Sequence, residues 1–399
     1  MRFLSDIVQY SYSPEELKKC VRTADFWKFN ITKTQFNQQI VAHSDTFLSS
    51  DCQITKINAS SLGKNRIFHP ASIQDALCLR RTNNIIKRAI RASSLNRDHE
   101  VKQLLHILRG ESKCRILRTD IEAYFESIPF ARIISQLEED GFRNNCALSH
   151  LKHLNAILIR DYGLSGLPRG LALSSTIAHY TLQPFDQKLL NNDAVIYYTR
   201  YVDDICIVHV DDPQSIQTSI QEALPRGLKL NKSKTQALEL PSANTLHFLG
   251  YSIWLERPHK VSIADNKLAK AKKRIVLSLK GFLRDKDFKL LLDRLRFLSC
   301  STRMDKVGRK VPVCTGYRHV YRRCDDETAS EQLKSLDSFL HGILNSKRYS
   351  LGRALRQLLT TEQAQLLRTP SFQKHYAGRL TFKVEPRRLS AIKRAWKYE

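Results

Sequence analysis

Along this 399-residue chain the apolar positions fall into two kinds of spacing. In the segment 73–92, IQDALCLRRTNNIIKRAIRA, they recur every three to four residues with basic residues between them, which predicts an amphipathic helix. Residues 99–110 continue in the same style. After Pro129, ARIISQLEEDGF keeps helical spacing until Gly141 stops it. Residues 171–190, LALSSTIAHYTLQPFDQKLL, predict a further helix entered through GLPRG. A helix is also predicted after Ser13, where the serine can cap and Pro14 takes the first helical position. Between these lie short β-branched runs. CRILRTDI predicts a strand ending on Asp120, and residues 194–210, AVIYYTRYVDDICIVHV, predict two apolar strands around a tight turn. ALPRGLKLNKSKT and LHFLGYSIWL supply helix-end and strand material. From about residue 264 the pattern becomes long, basic and helical: ADNKLAKAKKRIVLSLKGFLRD, then FKLLLDRLRFL. Strands before residue 255 and helices after it predict an α+β part followed by a basic helical part.

Charge sharpens this division. The chain carries 65 Lys+Arg against 39 Asp+Glu, a net +26, and residues 256–399 hold 34 basic and 14 acidic residues, +20 of that excess. A basic surplus of this size suits a polyanionic partner, nucleic acid or an anionic membrane; a merely solubilising surface is the plainer alternative. No apolar run reaches the roughly 18 residues that span a bilayer, so no membrane partner is expected. The start, MRFLSDIVQYSYSPEEL, lacks the apolar core of a signal peptide. The nine cysteines form no C-x-x-C pair and read as reduced thiols of a cytoplasmic protein.

The candidate chemistry lies in the carboxylates. Asp203 and Asp204 stand at the turn of the 194–210 hairpin, and Asp120 closes a separate strand. If these strands are neighbours, the acids converge at one sheet edge. Such a set suits hard divalent cations, because Mg²⁺ takes a few carboxylate oxygens and leaves its other positions to water and phosphate. Two ions about 3.5–4 Å apart would clamp an in-line phosphoryl displacement. An aspartate-rich turn without chemistry is the bland alternative.

The companions of this motif carry a resemblance. YVDD between apolar strands, with Tyr201 leading it, resembles motif C of reverse transcriptases; RTDIEAYFESIP resembles motif A, and GLPRGLALSSTIAHYTL motif B. GLKLNKSKT is similar to motif D and HFLGY to the primer-grip hairpin, motif E. They come in the family's order and cover about residues 60–255. The resemblance implies a right-hand polymerase: an N-terminal extension (1–60), fingers and palm with an antiparallel sheet (61–255), and an α-helical basic thumb and C-terminal RNA/duplex-binding region (256–399).

Residue by residue, the resemblance implies the following roles. Asp120 and Asp203 would be the principal metal ligands, with the Ile121 carbonyl a further one and Asp204 the supporting third acid. Phe125, five residues after Asp120, matches the aromatic gate that closes against a ribose 2′-OH; a core aromatic beside Tyr124 is the alternative. Lys234 matches the lysine proposed to protonate the leaving pyrophosphate, or is a solvated lysine. Gly166, Pro168 and Gly170 resemble the turn beneath the templating pair, with Ser174 and Ser175 following it. Tyr201, Phe248, Leu249 and Gly250 would hold the primer or template. Arg169 departs from the glutamine that many members carry against the incoming nucleotide, which puts sugar or base preference in question. In the fingers, Lys64, Arg66, Arg81 and Arg97 are candidates to hold the triphosphate.

RNA-templated RNA polymerases usually have glycine before the paired aspartates and a second aspartate five residues after the first. Val202 and Phe125 therefore favour dNTPs as substrates and DNA as product. Two Mg²⁺ ions, with Mn²⁺ as a substitute, are the implied cofactors. GLPRG, DIEAYFESIP and the segment LDRLRFLSCSTRM…GYRHVYRR look most like the antiphage-defence group of bacterial reverse transcriptases, some of which work in pairs or with a dedicated non-coding RNA. The implied partners are an RNA template, a second polymerase or accessory protein, or a second copy of this chain. Retron and intron enzymes, and a catalytically silent RNA-binding scaffold, remain as alternatives. Tyr317, Tyr321 and Trp396 could stack on unpaired bases or sit in the core.

Overall fold

A computed structural model describes residues 12–42, 54–62, 65–92, 96–111, 113–304 and 313–396; Lys64 lies outside them. The chain forms two compact units, Met1–Leu95 with Arg115–Ala237, and Asn96–Cys114 with Leu238–Glu399.

The first unit is built on the short apolar runs. Strands β1 (Ile57–Leu62) and β2 (Asn65–Pro70) make a hairpin with Ile57 opposite Pro70. Strands β3 (Cys114–Asp120), β4 (Val195–Tyr201), β5 (Asp204–His209) and β6 (Gln236–Leu240) make a four-stranded sheet in the order β4-β5-β3-β6. In the inner strand β5, Ile205, Cys206, Ile207 and Val208 are all fully buried. That is why its sequence is a continuous apolar run rather than an alternation.

Helices pack on this sheet. In Phe130–Glu139, residues Phe130, Ile133, Ile134 and Leu137 are buried at the predicted spacing. Helix Ile73–Ala89 begins where Ser72 accepts from the Asp75 amide, and Asn145–Tyr162 ends on Gly163 in the left-handed region. Helix Ala172–Leu190 runs through Pro184. The proline removes one helical hydrogen bond, but buried Phe185 and Leu189 hold the last turns against the core. Each such large apolar side chain contributes about 1.5–3 kcal/mol.

The N-terminal helices Pro14–Lys19, Thr23–Lys28 and Lys33–Ala42 belong to this unit as well. Arg80 of Ile73–Ala89 meets the buried Asp25 at 2.6 and 2.7 Å, and Arg81 meets Glu16 at 2.7 Å. Arg81 is thus part of a pair that ties this helix to Pro14–Lys19.

The second unit contains the helix Arg97–Gly110 and a sheet of β7 (Thr245–Phe248), β8 (Tyr251–Trp254) and β9 (Val261–Ile263). The predicted basic helices occur as Asp265–Asp285 and Phe288–Ser299, followed by Asp326–Asn345 and Pro386–Arg394. The region is not wholly helical. Strands β10 (Ser301–Met304), β11 (Val313–Thr315) and β12 (Thr381–Lys383) form a small sheet in the order β11-β10-β12. Runs this short carry no readable period, so the helical pattern around them hides the sheet. Of the three aromatic candidates for base stacking, Tyr321 and Trp396 are buried and Tyr317 is partly buried. Trp396 stacks on Phe297 at 5.8 Å and donates to the Arg274 carbonyl, while Tyr317 stacks on Tyr321 at 5.9 Å. No helix among the described residues is long and apolar enough to cross a membrane.

Candidate active site

The β4–β5 hairpin turns on Val202 and Asp203, with Tyr201 opposite Asp204. Val202 takes φ +65°, a left-handed conformation that a β-branched residue adopts only when its surroundings enforce it. Two contacts do so. Arg200 donates to the Val202 carbonyl at 2.9 Å, and the Asp203 carbonyl accepts from the Ile121 amide at 3.2 Å. The second bond ties the hairpin tip to the residue after Asp120.

Antiparallel pairing of β3 with β5 sets Asp120 directly opposite Asp204. Like charges so placed repel, and the surroundings answer each one. Asp204 is taken by Arg118, which donates through Nε at 2.9 Å and approaches through Nη2 at 2.8 Å. Arg118 lies two residues before Asp120 and so shares its face of the strand. Asp120 accepts from Lys234 Nζ at 2.7 Å, and the Lys234 carbonyl accepts from Arg118 at 3.1 Å. Asp203 stands in the turn of the hairpin, next to Asp204. Burial and the neighbouring Asp120 charge push its carboxyl above the usual range. Burial pushes Asp204 up to about 6, although Arg118 pulls the other way.

Behind the turn lies a buried polar cluster. Arg200, 5% exposed, meets Asp186 at 2.8 Å through Nε and 2.5 Å through Nη2. Tyr198 donates to the same carboxylate at 2.5 Å, and His179 Nδ1 lies 3.2 Å from Arg200. The hairpin thus stands on the helix Ala172–Leu190.

On the other side of Asp120, the chain turns through Tyr124 and Phe125. Tyr124 is 1% exposed, whereas Phe125 is only partly buried, its ring 5.2 Å from that of Tyr124. The loop 165–170 packs against this turn: the Leu167 amide donates to the Phe125 carbonyl at 2.8 Å. A Cβ on Gly166 would lie 2.3 Å from the Glu126 carbonyl oxygen. A Cβ on Gly170, where φ is +99°, would lie 2.6 Å from the Phe68 carbonyl oxygen. Gly170→Ala should therefore cost about 1–3 kcal/mol in urea unfolding. Gly110→Ala, where a Cβ meets nothing within 4 Å, should stay within about 0.5 kcal/mol.

Arg169, the departure within GLPRG, pairs both nitrogens with the Glu126 carboxylate, Nη2 at 2.8 Å, and sets its guanidinium 5.4 Å from the Phe125 ring centre. Arg66 is exposed on β2, donating to the Tyr162 carbonyl at 3.0 Å. Ser174 donates to the Pro168 carbonyl at 2.6 Å, so its hydroxyl shapes the loop.

Phe248, Leu249 and Gly250 belong to the second unit, at the β7–β8 turn. Leu249 and Gly250 both have positive φ, +47° and +81°. Arg97 holds this turn, donating through Nε to the Leu249 carbonyl at 2.7 Å, with its guanidinium 5.0 Å from the ring centres of both Tyr251 and Tyr321. Arg97 is therefore a support of the Leu249–Gly250 turn. Arg118, Arg200, Asp186 and Glu126 carry no sequence signal, since their partners are set by strand register and loop packing.

The structure brings Asp120, Asp203, Asp204 and Lys234 together at one sheet edge and places Phe125, Arg169 and the 166–170 loop in the same unit. Among the described residues no group of three His, Cys, Asp or Glu has metal-ligating geometry. The donor chemistry still fits a hard divalent cation: Asp120 and Asp203 are oxygen donors whose charges are mutually unfavourable until a cation offsets them.

A family model described as reverse transcriptase (RNA-dependent DNA polymerase) matches residues 66–253. Comparison with curated proteins gives no match. Among solved structures, apo telomerase from Candida tropicalis is similar at TM-score 0.36 and 13% identity, over 80% of this chain and 57% of that one. Telomerase from Candida albicans with a fragment of telomeric RNA gives TM-score 0.34 and 13% identity, over 81% of this chain and 65% of that one. The chain spans 57–65% of the lengths of these two structures. The stretch similar to the reverse transcriptase family, residues 66–253, holds the paired-aspartate hairpin, the turn after Asp120 and the 165–170 loop.

Proposed function

We propose that this chain adds deoxynucleotides to a 3′-hydroxyl along an RNA template, at the edge marked by Asp120 and Asp203. The observation that supports this most is the pair of partly desolvated carboxylates at the tip of a hairpin whose turn is held from behind by Arg200 and from the side by Ile121. A protein that only bound RNA would gain nothing from an Asp203 carboxyl whose proton affinity is raised by burial and by a neighbouring acid.

Asp120 and Asp203 would hold two Mg²⁺ ions, or Mn²⁺ in their place, with the Ile121 carbonyl as a further donor. Bound there, the ions lower the pKa of the primer hydroxyl and offset the charge of the triphosphate. Asp204, kept by Arg118, supports the negative field of the edge without competing for the same position. Lys234, whose Nζ donates to Asp120 at 2.7 Å, would deliver a proton to the leaving pyrophosphate. Phe125 would close against the sugar. Gly166, Pro168 and Gly170 would let the backbone approach the templating pair, and Arg66 and Lys64 would attract the phosphates. Phe248, Leu249 and Gly250 would grip the primer strand, with Tyr201 beside its end.

The wider reading, a bacterial antiphage-defence enzyme working with a dedicated non-coding RNA, is supported by the wording of GLPRG, DIEAYFESIP and the segment after residue 290. The basic surplus of residues 256–399 supports a nucleic-acid partner.

The test is extension of a labelled primer by the purified protein with dNTPs or NTPs. Incorporation of dNTPs should stop on addition of EDTA and return with excess Mg²⁺ or Mn²⁺. Equal incorporation with the metal chelated, or incorporation of NTPs alone, would contradict the reading.

A further inference from the structure

The sugar-facing side of the site has a feature that the polymerase chemistry does not require. Arg169 projects from the loop 165–170, and both ends of its position are fixed. Its own carbonyl accepts from the Phe68 amide of β2 at 2.7 Å, and the next residue, Gly170, is pressed onto Phe68 and Ile67. Its side chain is fixed by Glu126, which engages Nε and Nη2 in a two-pronged pair. A planar guanidinium held by such a fork cannot rotate freely. The plane so held lies over the ring of Phe125, the residue immediately before Glu126. Phe125 also meets the ring of Tyr124, itself 1% exposed in the core. The partly exposed phenylalanine is thus confined by neighbours that are each anchored elsewhere.

We propose that Glu126 is a positioning residue for substrate choice: by locking Arg169 onto Phe125 it fixes the ring against which a ribose 2′-hydroxyl would collide. This rests on the reading of Phe125 as the face that closes on the nucleotide sugar. Discrimination by collision requires a wall that does not yield, because a ring free to turn away admits the extra oxygen at little cost. An aromatic ring alone beside solvent has two soft torsions. With a cation over its face it gains an attraction worth about a two- to fivefold population bias at a partly exposed site. The pair is also economical in charge. Arg169 lies close enough to feel the Asp120 and Asp203 charges, and Glu126 keeps the guanidinium turned toward the ring instead of toward them.

The test compares kcat/KM for a dNTP and the NTP of the same base in four proteins: wild type, Phe125→Ala, Glu126→Gln, and Glu126→Gln with Arg169→Gln. Phe125→Ala should abolish most of the preference for the dNTP. Glu126→Gln should lower the preference about fivefold, chiefly by lowering KM for the NTP. The double variant should be no less selective than about the single one, since the two residues act as one unit. A purely structural role would change both nucleotides alike and leave their ratio intact. If Phe125→Ala erases the preference and Glu126→Gln leaves it at the wild-type value, the proposal is overturned while the gate stands. If Phe125→Ala itself leaves the preference unchanged, the reading of Phe125 fails and the proposal falls with it. Should turnover be too slow to measure, the same ratio is read from competition of unlabelled dNTP and NTP for a fluorescent dNTP bound to the protein. Glu126 and Arg169 side chains are 38% and 29% exposed, so these variants are expected to fold.

Discussion

Asp203→Asn is expected to abolish nucleotide addition, by about 10³-fold or more, while leaving the protein at least as stable as before. The loss in rate corresponds to about 4 kcal/mol of charge stabilisation removed from the transition state. The stability result follows from the opposite sign of the same electrostatics. Burial and Asp120 both raise the Asp203 carboxyl, which means that the native state disfavours its ionised form. An amide of the same shape removes that penalty. A gain in stability, seen as a rise in Tm without added metal, is expected. A split of this kind, activity lost and stability kept or gained, separates an acid retained for chemistry from an acid retained for structure. Loss of both together would mark Asp203 as a structural turn residue.

The largest stability effect is expected at Arg200→Met. Arg200 is 5% exposed and pairs through two nitrogens with Asp186, which also accepts from Tyr198. Removing the guanidinium strands a carboxylate in the interior and releases the Val202 carbonyl from the donor that holds it. Breaking a buried pair from one side costs about 3–5 kcal/mol, because the remaining charge has lost its partner. Urea unfolding should show that loss. The double variant Arg200→Met, Asp186→Leu should recover a large part of it, since no charge is then left buried. Nucleotide addition should fall in the single variant even at temperatures where it is folded, because the left-handed Val202 no longer presents Asp203. The contrast is the surface pair Lys152–Glu138, whose side chains are 57% and 37% exposed; Lys152→Ala should cost no more than about 0.5 kcal/mol.

Much of this arrangement is legible in the chain, and the limits have physical reasons. The helix Ile73–Ala89 lies within the predicted 73–92, and Asp120 ends β3 as the run CRILRTD indicates. These elements announce themselves because each buries one periodic face. The two acids of the hairpin turn are readable because a turn leaves them few alternatives. The helix Asn145–Tyr162 shows how pattern reading is incomplete: its buried Leu151, Leu154 and Leu158 have helical spacing, but no motif draws attention to it. What no reading of residues in order supplies is register. Whether Asp204 faces Asp120, and which arginine then neutralises it, depends on β3 and β5 pairing with Asp120 opposite Asp204. Arg97 is the clearest instance. As a sequence feature it is one basic residue among many; in the fold it lies between Tyr251 and Tyr321, which are separated from it by about half the chain, and props the Leu249–Gly250 turn. Its position comes from tertiary packing, to which local pattern is blind.

The most direct test of the central claim is to give the protein a primed RNA of defined, non-repeating sequence with all dNTPs and Mg²⁺, and to sequence whatever product forms. The account predicts DNA complementary to that RNA, made by the wild type and absent with Asp120→Asn or Asp203→Asn. DNA whose sequence is unrelated to the RNA supplied, or product formed equally by those variants, would contradict it.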